Sequence, residues 1–145
     1  MKFTTKEIVM SKLVQELKGD HEKLAQVLTN ALSKGPTKEG LQLLNTTKAA
    51  LLAHLKKEDT FLYPELKKAA VNDKSLKSTI EMFATDMDKI SKAAIDFFNK
   101  WEKGGDGVEF AKDIGNLISV LRSRIHREES ALYPEYDKIA DKKVA

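Results

Sequence analysis

The sequence predicts an all-α fold, an antiparallel up-down-up-down four-helix bundle, on three observations. Apolar residues recur at alternating steps of three and four, the spacing of a helix that buries one stripe. Most of the few Gly and Pro residues cluster near Gly35 and Pro36 and at 104–107, and with the stretch 71–75 these clusters divide the chain into four long blocks. No segment shows the sustained period-two alternation of strands. At 145 residues, the chain is expected to form a single bundle domain over 1–145.

Each block carries one predicted buried stripe, and a capping box of Thr4 and Glu7 is expected to start the first helix. Pro64 and Pro134 should kink or interrupt the second and fourth helices. The stripes are, in chain order, Met10, Val14, Leu17, His21, Leu24 and Leu28; Leu44, Thr47, Leu51, His54, Glu58 and Phe61; Ile80, Phe83, Met87, Ile90, Ala94, Phe97 and Trp101; and Ile114, Leu117, Leu121, Arg124, Glu128 and Ala131.

Residues 54–65 repeat without gaps at 124–135, and both copies end in Leu-Tyr-Pro-Glu. The alignment pairs His54 with Arg124 and Glu58 with Glu128. We therefore expect two helical hairpins that pack with approximate two-fold symmetry.

Composition excludes several classes of function. The chain has no Cys, so it has no disulfides, thiolate zinc site, iron–sulfur cluster or Cys nucleophile. Its 25 basic and 22 acidic residues are interleaved, and a net charge of +3 without a basic stripe makes nucleic acid an unexpected partner. Lysines interrupt the N-terminal apolar stretches, so we expect no signal peptide, and the longest aliphatic run, at 49–53, is too short to span a membrane. The absence of Cys suits a reducing cytoplasm, which is the expected location. Phosphate-binding loops and nucleophile elbows are missing, so we expect a protein that is not an enzyme.

Five polar residues interrupt the apolar stripes: His21, His54, Glu58, Arg124 and Glu128. An unpaired buried charge is costly, so these side chains need partners. His54 and Glu58 are four residues apart and project from one helix face. Imidazole and carboxylate groups within a bundle suit iron, zinc or manganese, whereas a network satisfied by its own members is the structural alternative.

These residues carry a family resemblance. The phrase Asp-His-Glu around His21, followed by the repeated Glu-x-x-x-Leu-Tyr-Pro phrase that begins at Glu58 and Glu128, resembles the hemerythrin-like (HHE cation-binding) family over nearly the whole chain. The resemblance implies a four-helix bundle with a non-haem di-iron centre that binds oxygen or senses oxygen, iron or nitric oxide. It also implies that His21, His54, Glu58 and Glu128 are metal ligands.

The sequence departs from that pattern on helices three and four. Arg124 stands where the family places a His, and Phe83 and Met87 stand at the His positions of helix three. His126 lies two residues from Arg124, about 200° around the helix, and should point to solvent. The permanent charge of Arg124 disfavours a second metal ion. Arg124, Met87 and Phe83 are instead candidates to bind a small ligand beside the polar cluster.

Two functions follow from these residues. The first is a non-haem iron or other divalent metal protein that holds at most one ion and carries or senses a metal or a diatomic gas. The second is a metal-free bundle in which Arg124 pairs with Glu58 and Glu128, and which acts as an interaction or small-ligand sensing module.

Overall fold

A computed structural model describes residues 11–144, with side chains through residue 140, and confirms the four-helix bundle. This part of the chain is helical throughout, apart from short turns, and has no strand. The elements are α1 (Lys12–Lys34), α2 (Lys38–Lys57), the first π turn (Glu58–Leu62), α3 (Tyr63–Ala70), α4 (Lys74–Lys100), α5 (Gly107–Arg127), the second π turn (Glu128–Leu132) and α6 (Tyr133–Val144). The two π turns join α2 to α3 and α5 to α6, so that each pair forms one long helix.

Helix boundaries follow the predicted breaks in the chain. The N-termini of α1, α2, α4 and α5 are each capped by a side-chain oxygen that accepts a backbone N–H of the first turn; the caps are Ser11, Thr37, Asp73 and Asp106. Gly35 ends α1 at φ 68°, a conformation that glycine adopts without steric cost. The expected Thr4 cap and Met10 lie outside the described residues.

The bundle core consists of two apolar clusters separated by a polar layer. The long helices follow one another around a ring, in which α1 packs against α2 and α5, and α4 packs against α3 and α5. One cluster surrounds Leu28, Phe97 and Phe110, and the other surrounds Leu17 and Leu66. The polar stripe residues lie between these clusters along each helix, so they are shielded from water at both ends.

The π turns change which residues are buried after the polar layer. Phe61 and Ala131 were predicted on the buried stripes, but both are exposed, whereas Leu62 and Leu132 are fully buried. Pro64 has no backbone N–H, and its ring would clash with the carbonyl four residues earlier in a regular helix. The N–H of the residue before each proline instead bonds to a carbonyl five residues earlier, which inserts one residue into the turn. The predicted interruption is therefore a wide turn, and the helix continues beyond it.

In the described part of the chain, none of the helices is both long enough and apolar enough to cross a bilayer.

Candidate metal centre

Three long helices bring four buried donor groups to one point. His21 lies on α1, His54 on α2, and Glu58 and Glu128 begin the two π turns. Each residue is at most 3% exposed. One ligand atom from each lies within 4.8 Å of all the others. The predicted convergence of these residues in the bundle interior is confirmed.

The two imidazoles are oriented as metal ligands commonly are. His21 donates its Nδ1–H to Glu129 at 2.7 Å, and His54 donates its Nδ1–H to Asp20 at 3.1 Å. A carboxylate on one ring nitrogen fixes the tautomer and leaves the other nitrogen free to bind a metal. The two Nε2 atoms lie 3.1 Å apart, so in this tautomer their lone pairs face each other. Such a pair is stable only when a proton or a metal cation lies between the nitrogens.

The carboxylates complete a donor set that fits a metal ion. Glu128 Oε1 lies 3.1 Å from His21 Nε2, and Glu58 Oε2 lies 3.4 Å from His54 Nε2. Donor atoms about 2.1 Å from one ion lie about 3.0 Å apart at right angles and about 3.4 Å apart at tetrahedral angles. Glu58 Oε1 is buried and has no hydrogen-bond partner among the described residues. A buried carboxylate oxygen in that condition is costly unless a cation or a donor satisfies it.

The environments of the two carboxylates differ. Burial and the neighbouring charge of Glu128 raise the pKa of Glu58. Burial also opposes ionisation of Glu128, but hydrogen bonding to His21 and the charge of Arg124 outweigh it and lower its pKa. For His54, desolvation is outweighed by hydrogen bonds to Glu58 and Asp20, so its pKa is raised. The site therefore attracts positive charge at the imidazoles.

Arg124 is bound in place by groups from three helices. Its Nε donates to Glu128 Oε2 at 3.2 Å, and its Nη1 donates to the Phe83 carbonyl at 2.9 Å and to Asp86 at 3.2 Å. Its Nη2 donates to the Tyr63 hydroxyl at 3.3 Å, and the guanidinium lies 4.6 Å from the centre of the Phe83 ring. Its charge is therefore balanced within its own surroundings.

One expected contact of Arg124 is not found. The metal-free alternative pairs it with both Glu58 and Glu128, but within the described chain it contacts Glu128 and Asp86 instead. Asp86 was not among the predicted site residues. Asp86 also pairs with Arg127 at 2.7 Å, so Arg124 shares its positive charge between Asp86 and Glu128.

The two halves of the site share the predicted symmetry. In each half, an aspartate on one helix bonds two residues of the partner helix. One is a residue of the predicted buried stripe, and the other is a basic residue that follows it by three positions. The sets are Asp20 with His54 and Lys57, and Asp86 with Arg124 and Arg127. Met87 directly follows Asp86 as His21 follows Asp20, so Met87 occupies the place of His21. In the sequence, Asp20 directly precedes His21 and Asp86 directly precedes Met87. This shared spacing is the pattern that could have identified both aspartates as part of the site.

The other candidate ligand-binding residues have separate surroundings. Met87 is half-buried and lines a cleft of about 400 Å³ between the α2–α3 helix and α4, which Glu58 also lines. Phe83 is buried beneath Arg124 rather than in this cleft. His126 is exposed, as predicted.

The fold and the buried His and Glu residues define a helical bundle with a candidate metal centre. In comparison with protein families, residues 12–136 match the Hemerythrin HHE cation binding domain. The chain therefore belongs to the hemerythrin HHE family. Comparisons with curated proteins and with solved structures give no match.

Proposed function

We propose that this protein binds one iron ion, or another divalent metal ion, through His21, His54, Glu58 and Glu128. The observation that carries this proposal is the pair of imidazole Nε2 atoms 3.1 Å apart, each with a carboxylate at its other ring nitrogen. Neutral imidazoles and ionised carboxylates are the forms that bind metals. The role assigned is binding rather than catalysis.

A single ion agrees with the charges of the site. Five carboxylates and three basic side chains are joined in or to the cluster, which leaves two negative charges for a divalent cation to offset. They are Glu58, Glu128, Asp20, Asp86 and Glu129, with Lys57, Arg124 and Arg127. A second ion would need ligands from the half of the bundle where Arg124 and Met87 replace imidazoles. The guanidinium there is a permanent positive charge that repels a cation.

The cleft beside Glu58 supports the finer role of carrier or sensor of a metal or a diatomic gas. Met87, Leu55 and Ile80 make part of its wall apolar, which suits a small uncharged ligand. Bound iron would supply a redox-active Lewis acid, and Glu58 connects the candidate metal centre with the cleft. Arg124 and Phe83 contact each other, and Phe83 directly precedes Ala84, which lines the cleft.

Elemental analysis of protein purified without chelator tests the proposal. We expect about one metal ion per chain in the parent protein, and loss of the ion in His54→Ala. His126→Ala is the matched control, since this exposed imidazole lies away from the cluster and should retain full metal content. Equal metal content in all three proteins, or none in the parent, would exclude the site.

The Arg124–Glu128 ion pair supports a second candidate, a metal-free interaction or small-ligand module. In that case the two imidazoles share a proton, and the parent protein, though folded, binds no divalent ion even when it is supplied in excess.

A further inference from the structure

Tyr133 adds a fifth donor atom, a phenol oxygen, to the candidate metal centre. Its side chain is fully buried, and its hydroxyl donates to Glu58 Oε2 at 2.8 Å. The same oxygen lies 3.2 Å from His21 Nε2 and 3.4 Å from Glu128 Oε1. These separations match those between the four candidate ligands themselves, so the phenol oxygen belongs to the same donor set.

The second π turn is what brings Tyr133 to this position. In a regular α-helix, a residue five positions after Glu128 would be rotated by about 140° from it. Here the Tyr133 N–H bonds to the Glu128 carbonyl, and the wider turn returns Tyr133 to the face that Glu128 occupies. Its ring stacks on His21 with an angle of 12° between the planes, which orients the hydroxyl.

We infer that Tyr133 is an additional ligand of the site and binds through its phenolate oxygen when the ion is ferric. The inference rests on the proposed metal function. The charged side chains of the site have an excess of two negative charges, so a ferric ion leaves one positive charge that a phenolate offsets. Tyrosine oxygen is an established ligand of iron in proteins. On binding, the O–H bond breaks, the proton leaves to solvent, and the oxygen lone pair forms the bond to iron.

Tyr63 is the matched control because it occupies the equivalent position in the repeat. Its hydroxyl accepts a hydrogen bond from Arg124 at 3.3 Å, whereas the Tyr133 hydroxyl contacts three of the candidate ligands. Both tyrosines follow a π turn and precede a proline. They therefore differ in the neighbours of the hydroxyl rather than in local backbone.

The experiment loads parent, Tyr133→Phe and Tyr63→Phe proteins with Fe(III) as its citrate complex, so that no oxidant is needed. We expect a visible phenolate-to-iron charge-transfer band in the parent and in Tyr63→Phe, and its loss in Tyr133→Phe. Resonance Raman excitation in that band should show tyrosine ring modes. Fe(III) affinity should fall about tenfold or more in Tyr133→Phe, whereas Zn(II) affinity should change far less.

Two outcomes separate this inference from the proposed function. If the parent binds Fe(III), as measured by elemental analysis, but shows no such band, or if Tyr133→Phe keeps the band, Tyr133 is not a ligand and the metal site stands. If the parent and His54→Ala bind equally little metal, the proposed function itself fails. Resonance Raman of the parent covers the case in which Tyr133→Phe does not fold.

Discussion

Arg124 is a buried positive charge that bonds several polar groups of the core layer. It is 2% exposed, and its guanidinium holds Glu128, Asp86 and Tyr63 in fixed positions. Breaking a buried ion pair costs much more than an exposed one, because the remaining charge keeps its desolvation penalty. The energetic role of Arg124 is therefore to keep Glu128 ionised without a metal.

We predict that Arg124→Ala lowers the free energy of unfolding of the metal-free protein by roughly 3 to 5 kcal/mol. The reason is the uncompensated charge on Glu128. Urea unfolding with a metal chelator present measures the change. Arg122→Ala, at an exposed position on the same helix, is the control and should stay within about 0.5 kcal/mol of the parent. Equal midpoints for the two variants would contradict the prediction.

At the level of elements, the repeat supplies two half-sites of which one retains its imidazoles. Asp86 has the same position in the second half as Asp20 has in the first. Asp20 bonds the imidazole of His54, whereas Asp86 bonds the guanidinium of Arg124. Met87 lies in the second half at the position that His21 has in the first. The backbone of a second site is thus present without its ligands.

Arg124→His should raise the affinity for a divalent ion, because it removes a positive charge and adds an imidazole beside Asp86. The double variant with Met87→His should bind about two ions per chain. Elemental analysis and calorimetric titration with Zn(II) measure the stoichiometry. Met87→His alone is the control and should bind one ion, since Arg124 still repels the second. A double variant that binds one ion would show that the symmetry does not extend to ligand geometry.

The turn between α4 and α5 provides a prediction on acid stability. Trp101 donates its Nε1–H to Asp113 at 3.0 Å, and Lys100 lies 2.8 Å from the same carboxylate. These partners hold the pKa of Asp113 below its ordinary value of 3.8. The stabilisation is therefore present above pH 3.8 and is lost as the pH falls through the lower folded-state value.

We expect acid to change the fluorescence of Trp101, the only tryptophan of the chain, below that pH. In Asp113→Asn the same transition should be missing, and stability should depend less on pH there. An unchanged acid titration in Asp113→Asn would assign the transition to another group.

For the whole molecule, two apolar clusters enclose the polar layer from both ends. Leu17, Leu66 and their neighbours close one end of the polar layer, and Leu28, Phe97 and Phe110 close the other. Burial of such side chains contributes about 1.5 to 3 kcal/mol each. We therefore expect the protein to fold without metal in the presence of a chelator, and bound metal to add to its stability.

Metal should stabilise the fold by about 2.7 kcal/mol when its free concentration is a hundred times its Kd. The reason is that the ligands converge only in the folded chain. Thermal melts with and without Zn(II) measure the shift, and His54→Ala should show almost none. A shift of equal size in His54→Ala would place the stabilising ion elsewhere.

The sequence alone determined the helices, their order, and the five polar residues of the core layer. Periodicity suffices for these, because a regular helix turns about 100° per residue. The internal repeat likewise revealed the pairing of His54 with Arg124. That a single ion is held, and which metal it is, stays a prediction.

Only the tertiary structure decided the details that give the site its chemistry. The π turns shift the helical phase, so Phe61 faces solvent and Tyr133 faces the candidate metal centre. The carboxylates of Asp86 and Glu129 reach Arg124 and His21 from other helices. A periodic pattern describes one helix at constant twist, whereas these contacts depend on changes of twist and on how helices pack against one another.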